Sequence, residues 1–125
     1  MKNPLRAAAI SVLALAAAGT AFGLAPSAEA VTRAPVTVTI QADGTDLSGK
    51  VSSTRAVCVA DRKVIVFKQV GTKGGGDDIR FASDTSDSDG DWNTGNTGTE
   101  GRFYAKVKRN LQCQGDVSPT VTARR

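Results

Sequence analysis

Beyond residue 30 the chain alternates between apolar and polar positions for most of its length. Val36-Thr37-Val38-Thr39-Ile40 puts an apolar side chain at every second place, the period of a strand with one buried face. Asp43-Gly44 and Asp46 break that run, and a second strand is expected over residues 47–53, around Gly49-Lys50-Val51. Within residues 63–70, Val64-Ile65-Val66-Phe67 is continuously apolar, as suits a strand at the centre of a sandwich. Its β-branched density and the Gly71 stop argue against a helix. A short strand over residues 79–83 follows, and Ser88-Asp89-Gly90 then makes a tight turn into Trp92. Residues 101–109 alternate again, with Phe103, Ala105 and Val107 on one face and Arg102, Tyr104, Lys106 and Lys108 on the other. Residues 117–123 form the last strand, with Pro119 placing its start at a sheet edge. About seven short strands, roughly ten residues apart, predict an all-β, antiparallel Greek-key β-sandwich.

The segments between the strands are rich in glycine. Residues 71–78, centred on Gly74-Gly75-Gly76, read as a mobile hairpin tip. They lack the Lys-Ser/Thr pair and the helix that a phosphate-binding loop needs.

Residues 1–30 follow a different pattern. Lys2 and Arg6 precede an apolar stretch over residues 7–18, and Ala28-Glu29-Ala30 offers the small-x-small pattern that a signal peptidase accepts. The expected organisation is a signal peptide at 1–30 and one domain at 31–125, with Ala21-Phe22-Gly23 as a competing cut. An uncleaved membrane anchor is the rival reading. It is disfavoured because alanine is weakly lipophilic and Ser11, Gly19 and Thr20 interrupt the stretch. The expected location is outside the cell or in the cell envelope, with no stable membrane anchor.

Charge changes this picture little. Loss of Lys2, Arg6 and Glu29 with the leader would lower the net charge of +4 by one. The acids concentrate over residues 77–91 and the bases over 102–109 and Arg124-Arg125. Alternating lysines such as Lys106 and Lys108 read as the wet face of a strand, so no nucleic-acid partner is expected. Cys58 and Cys113 are the only cysteines, and in an oxidising compartment an even count favours a disulfide between them.

Four pieces in fixed order resemble a known family: Gly49-Lys50-Val51; Arg62-Lys63-Val64-Ile65-Val66; Thr85-Ser86-Asp87-Ser88-Asp89-Gly90-Asp91-Trp92; and Gly101-Arg102-Phe103-Tyr104-Ala105. Their order is similar to that of the carboxypeptidase regulatory-like, or transthyretin-like (prealbumin-like), sandwich domains. The resemblance implies a β-sandwich in which the Asp-rich piece is a turn and Trp92 and Phe103 pack in the core. Enzymes that share this fold rely on histidine, as hydroxyisourate hydrolases and intradiol dioxygenases do. This chain has none.

Three chemistries compete on the residues themselves. Asp84, Asp87, Asp89 and Asp91 invite a calcium site; EF-hand spacing fails because Trp92 falls where the loop glycine belongs, which leaves a looser turn site through Asp87, Asp89 and Asp91. Tyr104, alternating outward, is the candidate contact for a sugar ring. Catalysis is not expected: a Ser-His-Asp arrangement is impossible without histidine, and the acids sit on wet, glycine-rich turns. The expectation is therefore a secreted, non-catalytic module with a structural or protein-interaction role and no cofactor. Its partner would be an extracellular or envelope protein, and the chain itself a monomer or weak dimer. A carbohydrate-binding module that takes a polysaccharide is the alternative, and a calcium-binding domain the second.

Overall fold

The computed structural model describes residues 32–125, so the expected signal peptide and both its cleavage points lie outside the described residues. The elements are β1 (Val36–Val38), β2 (Gln41–Asp43), β3 (Asp46–Ser53), a 3-10 turn (Ala56–Cys58), β4 (Lys63–Lys68), β5 (Ile79–Thr85), β6 (Asp91–Asn96), β7 (Gly101–Val107), β8 (Asp116–Val117) and β9 (Val121–Ala123). They form two antiparallel sheets. In the first, β1 and β2 lie along one side of β3 and β6 along the other. In the second, β8 and β9 lie along one side of β7, followed by β4 and then β5 at the far edge. Taking each interrupted pair as one strand leaves the seven that the alternation predicts. The chain is the all-β sandwich expected.

Both interruptions are built the same way, with a side-chain hydroxyl in place of a backbone acceptor. Between β1 and β2, the Thr39 amide donates to the Lys50 carbonyl (2.9 Å) while the Thr39 hydroxyl accepts the Lys50 amide (3.0 Å). Between β8 and β9, the Ser118 amide donates to the Ala105 carbonyl (2.9 Å) while the Ser118 hydroxyl accepts the Ala105 amide (2.8 Å). The exchange at Thr39 frees its carbonyl to accept the indole N–H of Trp92 at 3.2 Å. That satisfies the one polar group of a side chain that is only 2% exposed. It also explains Gly49, because a Cβ there would lie 1.9 Å from the same carbonyl oxygen.

The core lies between the sheets. Leu47, Val51 and Trp92 come from the first sheet; Val64, Val66, Phe103, Ala105 and Val107 come from the second. A register shift between Val66 and Phe67 puts Phe81 and Ala82 both against this core, and Phe81 packs on Phe103 with ring centroids 4.9 Å apart. Such a bulge re-aims the residues on either side of it, so Arg80 stands opposite Phe67 and Ser83 opposite Ile65 on the outer face.

Along one side of the sandwich the sheets are joined closely. Asp116 of β8 accepts the Val38 amide of β1 at 2.8 Å. Ala34 exchanges backbone hydrogen bonds with Gln112 and Gln114, both 2.9 Å. The Cys58–Cys113 disulfide closes this end, with Cα atoms 5.5 Å apart and a sequence separation of 55. Beside it Arg62 is buried, and its guanidinium donates to the carbonyls of Cys58 (3.1 Å) and Lys108 (2.8 Å). Burial holds the Arg62 pKa below its ordinary value. On the opposite side Asp84 of β5 accepts the Asn93 amide of β6 at 2.7 Å.

Candidate functional site

The Asp-rich turn enters β6 as the sequence suggests, and its hydrogen bonds show what each aspartate does. One carboxylate oxygen of Asp87 accepts the amides of both Asp89 (2.9 Å) and Asp91 (3.0 Å), while Gly90 donates to the Asp87 carbonyl (3.0 Å). Gly90 has φ +90 and seats the turn on β3 by accepting the Val51 amide at 2.7 Å. A Cβ at Gly90 would stand 2.1 Å from the Val51 carbonyl oxygen, so only glycine fits.

The turn brings Asp87, Asp89 and Asp91 together, with oxygens of all three within 4.8 Å of one another and all three residues exposed. Lys50 is already there. Its ammonium lies 3.0 Å from the Asp91 carboxylate and 3.1 Å from the Asp89 carbonyl. The hydrogen bond to Asp91 raises the Lys50 pKa, and the charges of Asp91, Asp89 and Asp87 add to the effect. A calcium ion at this turn would have to displace that ammonium and compete with two backbone amides for Asp87. The aspartates serve first as turn formers.

Beside the turn lies an open groove of about 640 Å³, lined by Gln41, Ser48, Lys50, Asp84, Asp91 and Asn93 with Gly49 and Trp92 at its base. Trp92 supplies a floor but no exposed ring face, since it is packed in the core. Asp84 is engaged with the Asn93 amide and Asp91 with Lys50. The groove can accept polar groups; its acids are engaged in structural contacts.

Tyr104 requires a correction. It does alternate away from the core, on the face opposite Phe103, yet it is only 5% exposed. The cause is the loop over residues 69–78, in which residues 71–78 were expected to be a mobile tip; it folds back across the sheet. Asp78 anchors the loop by accepting the Tyr104 hydroxyl and the amides of Val70 (3.0 Å) and Gly74 (2.7 Å). Lys73 donates to the Ser118 carbonyl and sits 5.1 Å from the Tyr104 ring centroid. Phe67 stacks beside the ring at 5.4 Å. Burial and the Asp78 carboxylate push the Tyr104 pKa up to about 12, and the hydrogen bond from Tyr104, with those from Val70 and Gly74, holds Asp78 below the usual carboxylate range. Tyr104 is a fastening for the loop; it presents no platform to a sugar.

Cys58 and Cys113 are bonded as expected. Arg62, Asp78 and Asp116 were not given these roles by sequence reasoning, and Asp84 entered only as a calcium candidate; each meets its partners through the fold. An arginine next to an apolar strand and four residues from Cys58 was the one available hint.

Comparison with protein-family models, with characterised proteins and with solved structures found no match. Among the described residues, no helix is long and apolar enough to cross a membrane.

Proposed function

We propose that this chain is an exported, non-catalytic β-sandwich of transthyretin-like type that works by docking to an extracellular or cell-envelope protein through β5. The observation that carries this reading is the open edge of the larger sheet. β5 runs for seven residues, its one strand partner among the described residues is β4, and Ile79 at its start is 53% exposed. Ser86, just beyond the strand, turns its backbone amide and carbonyl toward Arg62 and Asp61. Alternation in an antiparallel pair then turns the backbone groups of Thr85 and Ser83 to the open side. An edge of this kind can accept an added strand, with main-chain hydrogen bonds supplying the affinity.

The disulfide supports an oxidising location, and the absence of histidine from the sequence supports a role without acid–base chemistry. The sugar-stacking alternative loses Tyr104, the residue on which it stood. The test is site-specific photocrosslinking with p-benzoylphenylalanine in place of Ser83 or of Thr122. Thr122 lies on β9, at the other edge of the same sheet. A discrete protein adduct from envelope or culture fractions is expected at Ser83 and not at Thr122. No adduct at either position, or equal adducts at both, would overturn the reading.

A further inference from the structure

The outer face of the larger sheet gathers basic residues that are far apart in the sequence. Lys63 and Ile65 of β4 share this face, because Val64 and Val66 between and beyond them are fully buried in the core. Lys106 of β7 stands opposite Ile65, and Val117 of β8 stands opposite Lys106. The bulge in β5 adds Arg80 to the same face. Two hollows follow. One of about 270 Å³ has Lys63, Arg80, Lys108 and Ile65 in its lining; the other, of about 520 Å³, has Lys106, Lys108, Arg109 and Val117. Lys108 borders both, so they form one trough across β5, β4, β7 and β8.

The cations in this trough outnumber the acids that line it, Asp61 and Asp116. Among the described residues the ion pair is Lys50–Asp91, on the other sheet, and none of Lys63, Arg80, Lys106, Lys108 or Arg109 has a carboxylate within ion-pair distance. Asp116, also in the lining, accepts the Val38 amide. Asp61 is the other acid in the lining. Five cations against two acids raise the local positive potential and favour an anion with several charges over a single one.

We propose that this trough binds a linear anionic polysaccharide, a partner distinct from the protein at the neighbouring β5 edge. Neighbouring cations on a sheet stand about 5–7 Å apart, along and across the strands. Successive charged sugars of an extended chain can each meet one of them. The apolar lining of the trough is aliphatic, Ile65 and Val117, and includes no aromatic ring on which a nucleobase would stack; Tyr104 and Trp92 are buried.

The disulfide-bonded protein is titrated with polygalacturonate, neutral dextran, duplex DNA and phosphatidylglycerol vesicles. Polygalacturonate should bind and dextran should not. Raising salt from ~50 to ~200 mM should weaken binding by about 50-fold if some four contacts each release a counterion. Lys63→Ala with Lys108→Ala should weaken it by about tenfold, whereas Arg124→Ala with Arg125→Ala, which removes the same charge elsewhere, should change it less than about twofold. Trp92 fluorescence checks that each variant is folded, and the Ser83 crosslink should survive the trough variants. The proposal is overturned if polygalacturonate does not bind, if the two double variants lose affinity equally, or if DNA or vesicles bind more tightly at matched salt.

Discussion

The two long sides of the sandwich use the same clip and differ in everything around it. On one side Asp116 of the larger sheet accepts the Val38 amide of the smaller; on the other Asp84 accepts the Asn93 amide, at nearly the same distance. Around Asp116 stand the disulfide, the Ala34 exchange with Gln112 and Gln114, and Arg62 holding the carbonyls of Cys58 and Lys108. Around Asp84 stand the Asp-rich turn and an open groove. Val38 is 1% exposed whereas Asn93 is exposed, so the Val38 amide is the harder of the two for water to reach when its carboxylate is lost. One seam is built to stay closed. The other is held lightly and leaves β5 free to pair.

The contrast can be broken most forcefully at the disulfide. Its loop of 55 residues corresponds to about 4 kcal/mol of lost chain entropy in the unfolded state. Reduction, or Cys58→Ala with Cys113→Ala, should lower the unfolding free energy by about that amount in a urea titration. An unchanged midpoint would mean that the closed seam holds without its covalent link. The two clips give a finer comparison. Asp116→Ala should cost about 2 kcal/mol, because a buried amide loses a charged acceptor; Asp84→Ala should cost less than about 1 kcal/mol, because water replaces it. Equal costs would remove the asymmetry.

The smallest effect sharpens the picture of the loop over the outer face. Tyr104 is the single tyrosine, so ultraviolet titration of phenolate reads it alone. Its folded pKa of about 12 lies above the unfolded value of about 10. The folded state therefore holds the proton more tightly, and the associated stability is complete below about pH 10 and declines as pH rises toward 12. Asp78→Asn should move the titration down toward the free value. For Asp78 the sign is opposite: its contribution is present above the unfolded carboxylate pKa of about 4 and is lost as pH falls through the depressed folded value.

Much of the architecture is legible in local patterns. The strands around Val36, Val64 and Phe103 follow from alternation and β-branched runs, and the turn at Gly90 follows from Asp-Gly chemistry with its positive φ. The even cysteine count anticipates the disulfide. The face of β7 on which Tyr104 sits was legible too, but not its burial. Alternation states which way a side chain points from its own sheet and says nothing of a loop that returns to cover it. Nor could it assign Lys106 and Lys108 anything beyond a wet face, since Lys63 and Arg80 come from other strands and a bulge is needed to aim Arg80.

What the amino-acid order determines alone is the set of strands, the turns between them and the side of each strand that seeks the core, because these depend on neighbours within a few residues. Only the tertiary structure decides which carboxylate meets which distant amide, that Tyr104 is covered, and that scattered cations share one trough. Those outcomes depend on strand order and register, which bring together residues that no short stretch of sequence contains.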